Sequence, residues 1–249
     1  MNNKIYLISL KKDTKRREIL KSRFANYDDF ELVYGVDGRE LDAKAYYSHI
    51  NTSFKAYGRL LTPSEVGCTL SHMIAYERFL QSGAEYALIL EDDVIGDEAM
   101  INQAFLLAKN MDKNSVLICG CQDGLNDRFS AFAKRTQHMY EVSPYSYKCI
   151  YRTASYIITQ NSAKAILNTH KNAINTTDVW EYLLDKNGLK MYFADIFSHP
   201  LDLSDSNIEK ERAERGYKPN FMAYMRSIKF IIASRFFVNF CGYERIFKR

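Results

Sequence analysis

Glycine and proline are scarce in this chain, 11 and 4 of 249 residues, which argues against long disordered linkers. No GxGxxG and no GxxxxGK[ST] occurs, so a dinucleotide fingerprint and a P-loop are both excluded. No CxxC pair occurs either. The five cysteines (Cys68, Cys119, Cys121, Cys149, Cys241) are odd in number and lie mostly in apolar runs, the pattern of reduced, buried thiols in a cytosolic protein. Cys119-Gly120-Cys121 has no second Cys/His pair nearby to complete a metal site. No stretch reaches the roughly 18 apolar residues that a bilayer span needs. The apolar run Ile5 to Leu10 is one strand long and is followed at once by Lys11, Lys12 and Asp13, which does not read as a secretory signal. Internal repeats and low-complexity segments are absent.

What remains is ordinary globular material: 47% hydrophobic, 26% charged, with 18 Tyr and 15 Phe. The length suits one large domain or one domain with an appendage. The net charge of +4 conceals an asymmetry. From Arg215 onward eight basic residues (Arg215, Lys218, Arg226, Lys229, Arg235, Arg245, Lys248, Arg249) face Glu244 alone. That gives +7 there and 4 − 7 = −3 elsewhere. Such a local excess suggests an anionic partner at the tail.

Lys4 to Leu10 reads as a first strand, Lys15 to Tyr27 as a helix with Ile19, Leu20 and Phe24 inward, and Glu31 to Tyr34 as a second strand. This strand–helix–strand opening favours a nucleotide-binding α/β domain. Residues 43–60 read as irregular. Thr62-Pro63-Ser64-Glu65 marks a helix start, with Thr62 as cap, Pro63 at the first position and Glu65 completing a capping box. Such an N-terminus is also a potential phosphate site. Small Gly67 and Cys68 invite close approach. Asp97 to Met111 reads as a helix and Val116 to Cys119 as a strand. Residues 120–148 read as a polar, loop-like stretch. Ala154 to Thr159 is a further strand, and Asn161 or Ser162 caps a helix over 163–170. A helix starts at about Thr177, with Asp178 in its first turn and Gly188 as its stop. Met191 to Ala194 is a late strand, leading to His199 in a loop.

The chemistry concentrates at Ala87-Leu88-Ile89-Leu90-Glu91-Asp92-Asp93. An apolar run of this kind is a buried strand, and three unpartnered carboxylates cannot be buried cheaply at its end. They sit either in an exposed structural turn or around a hard divalent cation such as Mg2+ or Mn2+. In open α/β sheets ligands bind beyond the carboxyl ends of strands, so the cation reading is of a metal–diphosphate held by Glu91, Asp92 and Asp93, and the other is of an acidic turn. Asp178 admits two readings, a carboxylate favoured by a helix dipole or a catalytic base. His199 likewise is either an exposed loop histidine or a neutral metal ligand.

Together these residues resemble bacterial lipopolysaccharide or lipooligosaccharide glycosyltransferases of glycosyltransferase family 25. The resemblance is carried by Tyr6-Leu7-Ile8-Ser9-Leu10 with Asp13-x-x-Arg16-Arg17, by Val36-Asp37-Gly38-Arg39, by Leu61-Thr62-Pro63-Ser64-Glu65-Val66-Gly67-Cys68-x-x-Ser71-His72, and by Leu90-Glu91-Asp92-Asp93. It is dense in the first half and thins after about residue 160. It implies an α/β, GT-A-like mixed sheet flanked by helices, a UDP-sugar donor (galactose or glucose), inversion at the anomeric carbon, and an acidic strand end acting as an Asp-x-Asp motif with Glu91 in place of the first Asp. On this resemblance Glu91, Asp93 and His199 are the metal ligands. Asp178 is the general base, with Glu181 and Asp123 in reserve. Ser9, Leu10, Arg16, Arg17, Asp37, Arg39, Glu65, Ser71, His72 and Asp92 line the donor site. Arg16 and Arg17 read equally well as solvated helix charges, and His72 as a structural hydrogen-bonding residue.

Residues 1–214 then form the catalytic domain and 215–249 a basic, aromatic helical extension. In the extension Phe221, Tyr224, Met225, Ile228, Ile231 and Ile232 share a face, while Arg235 projects nearly opposite Arg226. It either lies on a membrane surface or packs on the domain. The expected partners are a nucleotide sugar, a lipid-linked oligosaccharide acceptor and the cytoplasmic face of the inner membrane, with no nucleic acid. Three other readings compete: a phosphoacceptor receiver domain, which needs its acid pair on the first strand of a shorter chain; a catalytically inactive nucleotide-binding or scaffold relative; and a glucosyl- or N-acetylhexosaminyltransferase of the same family.

Overall fold

A computed structural model describes residues 3–124, 131–202, 208, 210–211 and 221–246; within 221–231 the only side chain described is that of Ile228. The elements run β1 (Asn3–Leu10), α1 (Thr14–Arg23), β2 (Glu31–Gly35), α2 (Ala43–Tyr57), α3 (Pro63–Ser82), β3 (Tyr86–Glu91), α4 (Glu98–Ala108), β4 (Ser115–Gly120), β5 (Phe132–Arg135), β6 (Tyr140–Val142), β7 (Ser155–Thr159), α5 (Gln160–Asn172), α6 (Trp180–Asp185), β8 (Lys190–Phe197), a C-terminal helix (Phe221–Phe240) and β9 (Glu244–Arg245). They build one mixed sheet in the order β2-β1-β3-β7-β4-β8-β6-β5-β9. β1 is parallel to β2 and β3, and β4 to β8, while β7 lies antiparallel between β3 and β4. This is the mixed α/β sheet flanked by helices that the sequence implies. Among the described residues no helix is long and apolar enough to cross a membrane.

The central strands are apolar on both faces because both faces are covered, which is why they read as continuous hydrophobic runs. Tyr6, Ile8, Ala87 and Ile89 join Tyr76 and Phe79 of α3, Ile166 of α5 and Trp180 of α6 in one core. Leu7, Leu88 and Leu90 point to the other face and pack with Leu20 of α1 and with Ile101 and Ala104 of α4. The acids therefore emerge where the apolar run ends, with Ile8 of β1 in register with Glu91.

Two contacts shape the ground around that strand end. Gly67 of α3 lies so close to the loop after β2 that a Cβ there would stand 2.4 Å from the Val36 carbonyl oxygen and 2.5 Å from the Gly38 nitrogen. A Cβ on Gly38 would stand 1.7 Å from the Pro63 carbonyl oxygen. The close approach expected at Gly67 is thus filled by the protein's own backbone. Ser71 fastens it, accepting from Val36 N (2.8 Å) and donating to the Gly67 carbonyl (2.6 Å). On the far side, Ile95 and Ser198 exchange backbone hydrogen bonds of 2.8 and 3.0 Å, drawing the end of β8 against the turn after β3.

Several sequence expectations need correction. Residues 43–57 are helical, started by Asp42 accepting from Ala45 N and ended by Gly58 at φ 67°. The pattern is obscured because only Ile50 and Ser53 are buried, while Tyr46 and Tyr57 anchor through their hydroxyls to the Leu61 and Ala173 carbonyls. The stretch 120–148 is not simply a loop: it holds the hairpin β5–β6 and a helical turn over Pro144–Cys149. α5 starts at Gln160, because Thr159, the last residue of β7, is itself the cap and pairs reciprocally with Ser162. α6 starts only at Trp180 and has no side-chain cap. Thr177 instead spends its hydroxyl on Cys68 and Thr153, so Asp178 precedes the helix rather than sitting in its first turn.

At the C-terminal end β9 pairs with β5 and completes the sheet edge, and Phe237 packs between Tyr145 and Tyr243. Ile228 is half-buried, Ile232 and Arg235 are exposed. The side chains of the expected partners on that helical face, Phe221, Tyr224, Met225 and Ile231, and of the cations Arg226 and Lys229 are not among those described, and Arg215, Lys218, Lys248, Arg249 and the boundary at 214/215 lie outside the described residues.

Candidate active site

A cleft of about 440 Å³ opens where β1, β2 and β3 end. Its wall includes Ser9, Leu10, Asp13 and Arg16 from the first strand–helix unit, Asp37 and Arg39 from the loop after β2, Ser64, Cys68, Ser71 and His72 from α3, and Glu91, Asp92 and Asp93.

The three acids have different surroundings. Glu91 Oε1 accepts from the Thr153 hydroxyl (2.6 Å) and lies 3.2 Å from His72 Nε2. The other nitrogen of His72 meets Tyr156 Oη at 2.8 Å, and Tyr156 meets Tyr76 at 2.6 Å, all in the buried core. Asp92 is buried, which pushes its carboxyl up, while Ser9 and a 2.9 Å ion pair with Arg16 act against that rise. Asp93 is moved the other way: burial would raise it, but His199 and Arg16 outweigh burial and hold it below the ordinary range. Its Oδ2 lies 3.5 Å from both Arg16 Nη1 and His199 Nε2.

His199 faces a second constraint. Its Nδ1 lies 2.9 Å from the Pro200 carbonyl, which can only accept, so Nδ1 carries the hydrogen. In the neutral ring Nε2 then turns a lone pair toward the Asp93 carboxylate, and the pair needs a positive charge between them. Either a proton or a metal ion supplies it. Burial lowers the imidazole's affinity for that proton, but Asp93 outweighs it and the pKa is raised. Asp93 Oδ1 is buried with no hydrogen-bond partner. An orphaned carboxylate oxygen beside an imidazole lone pair fits a divalent cation.

The other expected donor-site residues divide. Asp37 is wrapped by Arg39 (2.8 and 2.7 Å) and Lys12 (2.6 Å), and these hydrogen bonds hold its carboxyl far below the usual range despite burial. Arg17 turns away from the cleft and grips the end of β1 through the Ser9 hydroxyl and the Leu10 and Lys11 carbonyls. Glu65 is buried and does not line the cleft, accepting from Thr62 N (2.9 Å) and pairing with Arg59 (2.7 Å). The potential phosphate site at the start of α3 carries the Glu211 carboxylate, which accepts from Ser64 N (3.0 Å) and Ser64 Oγ (2.7 Å).

Asp178 and Glu181 do not line this cleft. They line a neighbouring pocket of about 270 Å³ with Arg59, Lys148, Tyr151, Thr176, Val179 and Trp180. The partition between the two is thin: Thr177 Oγ1 lies 3.5 Å from Cys68 Sγ and 3.2 Å from Thr153 Oγ1. Asp123 stands elsewhere, accepting from His199 N at 2.8 Å while its carbonyl accepts from Arg152. It therefore positions the histidine. Arg152 itself holds φ 64°, and its carbonyl accepts from Trp180 Nε1.

Thr153, Tyr156 and Cys68 are missing from the sequence expectation. Thr153 reaches Glu91 because β7 pairs antiparallel with β3, so the residues before β7 face those after β3, and Ala154 O accepts from Glu91 N. Only the pairing reveals this. Cys68 carried a readable signal, since Cys68 and His72 are four apart on a helix and share a face.

The sequence matches the profile of "Glycosyltransferase family 25 (LPS biosynthesis protein)" over residues 2–181. It is 29% identical over 126 residues to the Lipooligosaccharide biosynthesis protein lex-1 of Haemophilus influenzae, covering 46% of this chain and 39% of that one. It is 27% identical over 117 residues to Procollagen galactosyltransferase 2 of Mus musculus, covering 45% and 19%. To the Probable inactive glycosyltransferase 25 family member 3 of Rattus norvegicus it is 32% identical over 99 residues, covering 37% and 17%. The matched stretches thus span well under half of these relatives' own length. Among solved structures, a glycosyltransferase involved in the glycosylation of the major capsid of PBCV-1 superposes with TM-score 0.40 at 12% identity, covering 86% of this chain and 98% of that one.

Proposed function

The chain belongs to glycosyltransferase family 25, and from that premise we propose that it moves a hexose, galactose first among the candidates, from a UDP-sugar to a lipid-linked lipooligosaccharide or lipopolysaccharide core acceptor, with inversion. The observation that carries this reading is Asp93, which lines the cleft at the end of β3 and faces His199 across a 3.5 Å gap that calls for positive charge. The names of the relatives support the sugar and the acceptor class: one acts in lipooligosaccharide biosynthesis and one is a galactosyltransferase.

Asp93 and His199 would hold the divalent cation, Mn2+ or Mg2+, with Glu91 beside them. Bound there, the cation neutralises charge that develops on the leaving diphosphate. The rest falls to the chain. Arg16 pairs with Asp92 and Asp93 and orients both carboxylates. Asp123 fixes the His199 backbone. Asp37, Arg39, Ser9, Leu10, Ser71 and Asp92 form the donor wall. Asp178 takes the proton of the acceptor hydroxyl from the adjoining pocket, a step worth ~10²–10⁴ in rate, and Glu181 stands next to it. Residues 1–214 make the transferase body. The basic stretch from 215 attends the cytoplasmic face of the inner membrane, where a lipid-linked acceptor resides.

A donor screen tests the proposal. UDP-galactose, UDP-glucose and their N-acetyl analogues are incubated with and without Mn2+, and UDP release is measured. Release from UDP-galactose that depends on Mn2+ is expected. Release from a different donor reassigns the sugar. Release from none supports the inactive-relative reading, which the rat protein's name keeps in view.

A further inference from the structure

A thiol, an imidazole and a carboxylate converge on the cleft wall formed by α3 and the end of β3. Cys68 Sγ, His72 Nε2 and a Glu91 carboxylate oxygen all lie within 4.8 Å of one another. The geometry points to a second cation site, one that takes a thiophilic transition-metal ion of the Zn2+ class.

The site is built from the backbone up. Cys68 and His72 are four apart on α3, so both side chains leave the same face one turn from each other. Glu91 ends β3, directly opposite. Tetrahedral zinc with ligand bonds of about 2.0–2.3 Å needs ligand atoms roughly 3.3–3.6 Å apart. His72 Nε2 and Glu91 Oε1 already stand at 3.2 Å. Cys68 is half-buried, and its Sγ lies within 4.8 Å of both other ligand atoms.

The outer shell suits a metal-binding imidazole, whose other ring nitrogen is ordinarily hydrogen-bonded. His72 Nδ1 meets Tyr156 Oη at 2.8 Å, and Tyr156 can pass its own hydrogen to Tyr76 at 2.6 Å. That arrangement leaves the Nε2 lone pair aimed at the cluster. Thr153 donates to Glu91 and holds its carboxylate in place. Three protein ligands leave a fourth position open to the cleft, where water or a phosphate oxygen fits.

Ligand chemistry separates this site from the first. A thiolate selects zinc-like ions over Mg2+ and Mn2+, which favour carboxylate oxygens, and the Asp93–His199 pair offers no sulfur. An ion on Cys68 and His72 also draws on Glu91, the acid set beside the Asp93–His199 cation above, so the two sites share one residue. The site stands on its own geometry whether or not the chain transfers sugar.

Cobalt gives the test, because Co2+ bound to thiolate has an ultraviolet charge-transfer band that Co2+ on oxygen and nitrogen lacks. The full chain is titrated with Co2+. A band that saturates at one equivalent, disappears on adding Zn2+, and survives excess Mg2+ or Mn2+ is expected. It should be absent in Cys68→Ser with circular dichroism unchanged. In parallel, iodoacetamide labelling of Cys68 is followed by peptide mass spectrometry, with Cys241 as internal control. Zn2+ should slow labelling of Cys68 at least tenfold and leave Cys241 unaffected. Absence of the band, a band retained in Cys68→Ser, or equal labelling with and without Zn2+ would each overturn the site. None of these readouts depends on turnover, so a failed donor screen and a failed metal site remain separate results.

Discussion

Replacing Gly67 by alanine sets two effects of opposite sign against each other. In an unobstructed helix interior, Gly→Ala stabilises by about 0.8–1.0 kcal/mol through backbone entropy. At position 67 the new Cβ meets Val36 O at 2.4 Å and Gly38 N at 2.5 Å, both backbone atoms. An ordinary contact is about an ångström longer, so α3 and the loop after β2 must separate. Overpacking of this kind typically costs about 1–3 kcal/mol. Separation also strains the Ser71 hydroxyl, which bridges Val36 N and the Gly67 carbonyl, and so adds part of about 1 kcal/mol for a hydrogen bond. The net expectation is a loss of about 0.5–3 kcal/mol, or roughly 1–12 °C in Tm for a chain of this size. Because the loop carries Asp37 and Arg39, UDP affinity should fall with stability. Urea unfolding followed by circular dichroism gives the first quantity and calorimetric UDP titration the second. A variant stabilised by about 1 kcal/mol would show that the close approach at Gly67 does not exist.

Other perturbations address the chemistry. Asp93→Asn removes the carboxylate opposite His199 and should cut Mn2+-dependent UDP-sugar turnover ~10²-fold or more while the unfolding midpoint stays near wild type; full turnover at saturating Mn2+ contradicts the metal assignment. Asp178→Asn should lower turnover by ~10²–10⁴ with UDP affinity unchanged, whereas an equal loss of both assigns Asp178 a structural part. Acid stability isolates His170, which burial lowers from 6.5 to about 4, with a smaller push from His72. The unfolded chain takes up this proton first, so stability falls as pH drops from about 6.5 toward about 4, by about 3 kcal/mol in all. His170→Gln should flatten that part of the pH–stability curve, and an unchanged slope between pH 6.5 and 4 would refute the buried neutral imidazole.

The elements legible in the sequence were those whose signals are local. Thr62-Pro63-Ser64-Glu65 carries its own capping box, and the structure closes both of its hydrogen bonds. β1 and β3 announce themselves as apolar runs because helices cover both of their faces. α2 was hidden because its contacts run through tyrosine hydroxyls rather than an apolar stripe. Within the site, the acids and His199 could be picked out as types, but their partners could not. Thr153 reaches Glu91 through a strand pairing between residues 62 apart, and Glu211 reaches Ser64 across 147. Asp178 shows the same limit from the other side: its segment reads as a helix start, yet tertiary bonds to Thr177 delay the helix to Trp180.

The bridge between Ile95 and Ser198 has a consequence for the order in which the protein is made. It delivers His199 to Asp93, and the two are separated by 199 − 93 = 106 residues of chain. At about 5–20 residues per second of synthesis, Asp93 waits roughly 5–20 s for its imidazole. In the folded protein Arg16, which is made before either, pairs with both Asp92 and Asp93, so the histidine is the last of the groups around Asp93 to be synthesised.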